Sequence, residues 1–377
     1  MDKGKSTWAY YAPILILFTV NLLNYMDRYT VAGMLTDIQK YYSINDAQGG
    51  LIQTVFMGFY IIFSPTCGFL GDRYNRKWIM VGGISLWICI VFASSWVPCN
   101  MFWLFLVLRG MVGIGEASYA IISPSVIADL YTGLARSRML MLFYFATPVG
   151  SGLGFIVGAE VDGASSFQWG IRVTLIPGII CVLLIMLFIQ EPERGSAERE
   201  IGAINTELKN TGYLSDLWSI VRNPTYMTST FGYTALVFGV GTLSWFMPTA
   251  IERSKACQQG LNSTDQLDES TKSNINLIFG TITCISGFVG VVIGTIGSNW
   301  MSNGYGIFKY IQTKRSDAIM CCVGAIIGVP TMFFGIWAID KSLVSAYVSY
   351  LFVEYNSISD PDVYLYCRSQ LQLGHKR

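Results

Sequence analysis

Four ionisable residues sit inside otherwise apolar stretches of this chain: Asp27 and Arg28 in one, Arg109 and Glu116 in another. Two acids and two bases in such surroundings can hold one another as ion pairs, or can exchange a proton with a passing solute. A charge in the middle of a bilayer costs about 2.5–3.5 kcal/mol on insertion scales, so it persists only when paired or facing a cavity. At 1.5 Å per residue, Asp27 lies about 24 Å along a helix that starts near Tyr11. Arg109 lies about 10 Å along a helix running the opposite way from near Phe102. In a hydrocarbon core about 30 Å thick those depths nearly coincide, so an Asp27–Arg109 contact is expected. Glu116 follows two turns deeper on the same face as Arg109. Together they read as an acid–base ladder aimed into one cavity, the form of a proton relay; a purely structural buried pair is the plainer alternative. Arg28 is the ambiguous member, because a long side chain can also snorkel toward water.

The elements that must position these residues are membrane helices. Hydrophobic residues make up 52% of the 377 and charged residues 13%, with mean hydropathy +0.46. A soluble domain carries about 25% charged residues, so too little charge is present to wet a globule of this size, and most of the surface must face lipid. A net charge of +1 leaves no electrostatic footprint for a nucleic acid. Nine cysteines and a single histidine, His375 in the polar tail, show no metal-ligand spacing. No catalytic His, Cys or metal constellation is seen, so neither an enzyme nor a cofactor is expected.

Apolar runs long enough to cross a bilayer occur near 11–35, 50–70, 78–97, 102–127, 139–160, 171–190, 225–250, 275–298 and 318–339. That is about nine full spans, followed by a partial tenth at 343–353. The expected fold class is therefore an all-α polytopic membrane protein. Residues 1–190 form a complete six-helix half, 191–224 a cytoplasmic linker, 225–353 a truncated second half, and 354–377 a polar tail. Such a two-half grouping is how two-fold transporters are organised. In the linker, Leu214, Leu217, Trp218 and Val221 have helical spacing, which suits either an amphipathic helix on the membrane surface or a solvated connection.

Basic residues set the orientation. With the N-terminus cytoplasmic, Arg73, Arg76, Lys77, Arg136, Arg138, Lys309, Lys314 and Arg315 fall inside. The opposite side holds fewer: Lys40, Arg172, Arg253, Lys255, Lys272 and Lys341. The sequon Asn262-Ser263-Thr264 then falls outside, as a glycosylation site requires.

The segment Gly68-Phe69-Leu70-Gly71-Asp72-Arg73-Tyr74-Asn75-Arg76-Lys77 resembles the loop between helices two and three of the major facilitator superfamily. In that pattern Gly68 allows close helix approach, Asp72 caps and pairs with basic residues, and Arg73, Arg76 and Lys77 complete a gating loop. Asn75 stands where the pattern has glycine, a replacement left-handed backbone geometry would tolerate. The segments Asn24-Tyr25-Met26-Asp27-Arg28-Tyr29-Thr30 and Arg109-Gly110-Met111-Val112-Gly113-Ile114-Gly115-Glu116-Ala117-Ser118-Tyr119 narrow the resemblance to the spinster family within that superfamily.

The resemblance implies a major facilitator fold and proton-linked movement of an amphipathic lipid, a lysophospholipid or a sphingoid phosphate such as sphingosine-1-phosphate. The implied location is a lysosomal or late endosomal membrane, alternatively the plasma membrane. Asp27 and Glu116 would be the proton-coupling acids, and Arg28 and Arg109 their charge partners or the seat of a lipid phosphate. A truncated, non-transporting form that pairs with or regulates a full-length relative is the alternative. Asp-Arg-Tyr at Asp27 and Asp72 does not make a rhodopsin-like receptor, because neither copy ends a third helix.

Overall fold

The computed structural model describes residues 7–162, 167–189, 191, 218, 221–261, 264–310, 316–339, 341, 345 and 347–350. The nine long apolar runs are helical over most of their described residues. In order the helices are α1 (Thr7–Gly33), the short α2 (Leu35–Tyr42), α3 (Asp46–Arg73), α4 (Arg76–Ser94), α5 (Phe102–Leu130) and α6 (Gly133–Asp162). Then come α7 (Phe167–Arg172), α8 (Leu175–Phe188), α9 (Pro224–Gln258), α10 (Glu269–Asn303) and α11 (Ser316–Ala338). Seven spans among the described residues are long and apolar enough to cross a bilayer, with α7 and α8 counted as one. The 27-residue α1 is long enough but interrupted by its polar residues, and the apolar part of α11, Cys322–Ala338, is shorter.

Local chemistry accounts for the boundaries. Asn45 opens α3 with a capping box: its side chain accepts from Gln48 N, and the Gln48 side chain accepts from Asn45 N. This starts α3 at Asp46, ahead of the apolar run that begins near residue 50. Ser43 ends α2 in the left-handed region, at φ 51°. The expected single span over 171–190 is split, with α7 ending at Arg172 and α8 starting at Leu175.

The chain divides into two compact units, Met1–Leu208 and Lys209–Arg377. In the first, α1 lies along α6, α3 and α4 flank α5, and α8 covers α4 and α1. Glycine makes these approaches possible. A Cβ on Gly113 of α5 would meet the Phe56 carbonyl oxygen at 2.5 Å, and one on Gly115 would meet that of Gly83 at 2.7 Å. On α6, Cβ atoms at Gly150 and Gly154 would lie 2.5 Å from the Leu22 carbonyl oxygen and 2.6 Å from that of Met26 on α1. Small residues at such contacts let helix backbones touch, the main source of helix association where lipid is as apolar as the side chains. The outer surfaces carry Ile61 and Ile62 on α3 and Ile176 and Leu187 on α8, as a lipid-facing wall should.

In the second unit, the Tyr350 ring stacks on Phe279 of α10 with centroids 4.2 Å apart, and its hydroxyl lies 3.1 Å from Ser244 of α9. The segment after α11 thus packs back on α9 and α10.

Gly113→Ala is expected to destabilise the protein by about 1–3 kcal/mol, the usual cost of overpacking. Gly82→Ala in α4, where a Cβ meets nothing within 4 Å, is expected to be neutral or to stabilise by up to about 1 kcal/mol. Thermal unfolding in detergent separates the two; equal effects would remove the close α3–α5 contact as the reason for Gly113.

Candidate functional site

One face of α1 is polar at every turn: Asn21, Asn24 and Asp27 are each buried and spaced three apart, so they share a side of the helix. On α5, Arg109 and Glu116 share a face and are buried in turn. These two faces meet. Arg109 Nη2 donates to Asp27 Oδ2 at 3.1 Å, the contact the depth count anticipates. Arg28 turns inward, with Nη1 3.6 Å from Glu116 Oε1. The snorkelling option for Arg28 is thereby corrected: a buried acid is within reach, and pairing with it costs less than bending out to water. The result is two ion pairs side by side, each running from α1 to α5 with opposite polarity.

The third helix completes the cradle. With its amide oxygen turned to the guanidinium, Gln53 of α3 accepts from Arg28 Nε at 3.1 Å and Nη2 at 2.9 Å. Phe56 lies beneath the guanidinium, 4.6 Å from carbon to ring centre, and Met57 sulfur is 3.4 Å from Nη2. Nearer the start of α1, the Tyr119 hydroxyl donates to Asn21 Oδ1 at 3.3 Å and Asn21 Nδ2 donates to the Phe143 carbonyl at 3.0 Å. That chain of contacts ties α5, α1 and α6 together.

Not every polar atom is matched. Asp27 Oδ1, Glu116 Oε2 and Arg109 Nη1 are buried without a hydrogen-bond partner among the described residues. Such an atom costs about 1–3 kcal/mol, a cost that a proton on either acid or an oxygen against Arg109 would relieve. No group of His, Cys, Asp and Glu among the described residues is arranged to hold a metal ion.

A second polar cluster lies at the end of the bundle where α3 gives way to α4. Arg76, buried, pairs with Asp129 at the end of α5 and donates from Nε to the Gly71 carbonyl at 3.1 Å. Its backbone N–H donates to Glu191 at 3.0 Å, and Lys77 Nζ donates to the Met186 carbonyl at 2.7 Å. Arg73 lies over the Phe69 ring at 4.3 Å. The cap on α4 comes from Asn75, whose side chain accepts from Trp78 N, and the acid against Arg76 is Asp129, while Asp72 is exposed at the end of α3. Asn75 is extended, at φ −65°, so its place needs a capping side chain and not left-handed freedom. The close approach falls at Gly71, whose Cβ would meet Ile122 at 3.1 Å, more than at Gly68 with 3.6 Å to Ile121. Asn262 lies outside the described residues, as do Lys314, Arg315, Leu214 and Leu217.

The family model of the Major Facilitator Superfamily matches residues 17–357. The chain belongs to this superfamily. Among curated relatives, it is 44% identical over 344 residues to protein spinster homolog 1 of Xenopus laevis, covering 89% of this chain and 61% of that one. It is 38% identical over 334 residues to the sphingosine-1-phosphate transporter SPNS2 of Xenopus tropicalis, covering 88% and 62%. These matches bear out the spinster resemblance; the chain spans about three fifths of the length of either relative. Among solved structures, a bacterial homolog of the human lysosomal transporter Spinster, inward-facing and occupied, superposes with TM-score 0.68 at 19% identity, covering 95% of this chain and 74% of that one. At that identity the likeness shows the major facilitator fold alone. The chain is thus a multi-pass membrane protein of that superfamily, whose members are transporters rather than enzymes.

Removing one member of a buried pair leaves an unpaired charge, at a cost of about 3–5 kcal/mol. Asp27→Asn and Arg109→Gln are each expected to lower the unfolding temperature in detergent markedly, and the double variant to regain much of the loss. Strict additivity in that cycle would show that the two side chains do not stabilise one another.

Proposed function

We propose that the protein moves lysolipids or sphingoid phosphates, such as lysophospholipid or sphingosine-1-phosphate, across a membrane with proton coupling. The observation that carries this reading is the pair of opposed ion pairs, Asp27–Arg109 and Arg28–Glu116, buried where α1 meets α5. An anionic headgroup and a carboxylate compete for the same guanidinium. Protonation of Glu116 frees Arg28, and protonation of Asp27 frees Arg109; either arginine then has an unmet need for an anion. Departure of the lipid restores the ion pair and expels the proton. Occupancy by proton and lipid is linked through the arginines, as alternating access demands of a coupled carrier. The relatives' names support the substrate class, since one is called a sphingosine-1-phosphate transporter.

In this reading residues 1–190 and 225–353 are the two halves, joined by a cytoplasmic 191–224. The N-terminus is cytoplasmic, because Arg73, Arg76, Lys77 and Arg136 then all face that side. A lysosomal or late endosomal membrane is the proposed location, with the plasma membrane as the alternative, in keeping with the lysosomal transporter whose bacterial homolog shares the fold.

The test is movement of labelled lysophospholipid and sphingosine-1-phosphate in vesicles, with and without a pH gradient, by this chain and by one extended to the length of its relatives. Gradient-dependent movement is expected, reduced about tenfold or more in Glu116→Gln, as removing one partner of a buried ion pair, at about 3–5 kcal/mol, implies. Unchanged pH dependence in both Asp27→Asn and Glu116→Gln would sink the coupling. Movement by neither chain would remove the carrier reading.

A further inference from the structure

Besides the Met57 sulfur beside Nη2, the Arg28 guanidinium is shared between two oxygen acceptors of unlike kind. Its Nε–Nη2 edge faces the Gln53 amide oxygen at 3.1 and 2.9 Å, while Nη1 alone faces Glu116 at 3.6 Å. A guanidinium presents its donors in a fixed planar fork, so securing one edge sets the direction of the remaining donors. Phe56 supports the plane from below at 4.6 Å. Gln53 is neutral at every pH, so its hold on Arg28 does not change when the acid gains a proton.

We propose that Gln53 is the positioning residue of the site: it seats Arg28 independently of Glu116, so that a single donor, Nη1, answers to the charge state of that acid. This inference rests on the proposed coupling between acid and headgroup. It adds that Arg28 stays seated when Glu116 is neutral, ready for the oxygen of an anionic headgroup rather than collapsed onto its own acid. Without Gln53, the Nε–Nη2 edge has Glu116 as its nearest strong acceptor, and the pair tightens. With a carboxylate in place of the amide, Arg28 is satisfied whatever Glu116 does, and the two acids repel. The other charged and titratable groups around Arg28 and Glu116 are Asp27, Tyr25 and Tyr29 on α1, Tyr60 on α3 and Tyr119 on α5, with Arg109 of α5 reached through Asp27. All of them are unchanged by a substitution at Gln53.

The experiment reads Glu116 directly and needs no transport. Infrared difference spectra of the purified full chain, titrated with acid, follow the carboxylate bands, and Glu116→Gln and Asp27→Asn assign them. Gln53→Leu is expected to keep Glu116 ionised to about tenfold higher proton concentration, and Gln53→Glu to make it take its proton at about tenfold lower concentration. The added charge in Gln53→Glu shows that the site senses position 53, and a residue that merely supports the fold would not move the titration the other way in Gln53→Leu. An unchanged titration in Gln53→Leu, or a shift of the same sign in both variants, overturns the proposal; if Gln53→Leu does not fold, Gln53→Met takes its place, and an unchanged titration there overturns it. Because the readout is independent of lipid movement, failure to transport leaves this result standing and a failed titration leaves the transport assay standing.

Discussion

A charge taken out of water must be answered by another charge or by a full set of hydrogen bonds, and here four charges are taken out together. Desolvation of an ion costs several kcal/mol even after relaxation. The arrangement meets that cost by crossing the pairs, so that α1 and α5 each contribute one acid and one base. Net charge at the crossing is zero, yet each pair can be opened separately. The same crossing sets the relative rotation of α1 and α5, because both pairs must form at once. What α3 adds with Gln53, and α6 with the Phe143 carbonyl, is orientation with no further charge.

The middle of the first unit is built so that this crossing can be reached. Gly110, Gly113 and Gly115 thin α5 on the sides that face α3 and α4, and the helix is buried along most of its length. A bulkier α5 would hold α3 and α4 further off, and α3 would carry the Gln53 oxygen away from the Arg28 guanidinium it meets at 2.9 and 3.1 Å, leaving buried donors unanswered. Packing and electrostatics are therefore one requirement. The Arg76 cluster does similar work at the end of the bundle, tying α3, α4, α5 and a residue just past α8 through a single guanidinium and its own backbone N–H.

Depth in a membrane is a one-dimensional quantity that can be counted along a helix, which is why the Asp27–Arg109 contact is legible in the sequence. Rotation about the helix axis is not countable in that way. Whether Arg28 points inward depends on Glu116 and Gln53 lying on the correct sides of two other helices. Gln53 itself gives little sign in the sequence, being a neutral amide among apolar residues, although the three-residue spacing of Asn21, Asn24 and Asp27 does mark a polar face. The loop after α3 is legible as a pattern of basic residues but not as a set of partners. Asp129 and Glu191 come from distant helix ends, and nothing local to Arg76 points to them. The start of α3 is within reach, since Asn45 and Gln48 carry the spacing of a capping box.

The contact of Gly150, Gly154 and Gly158 with the backbone of α1 bears on how the site can change at all. Side chains at an interface can swap rotamers and let two helices slip; bare backbone against bare backbone has no such freedom. α1 and α6 behave as one strut, and Asp27 and Arg28 ride on it without independent rotation. Any rearrangement that separates acid from base is therefore left to the side chains themselves, or to a shift of α5 against that strut as a rigid body.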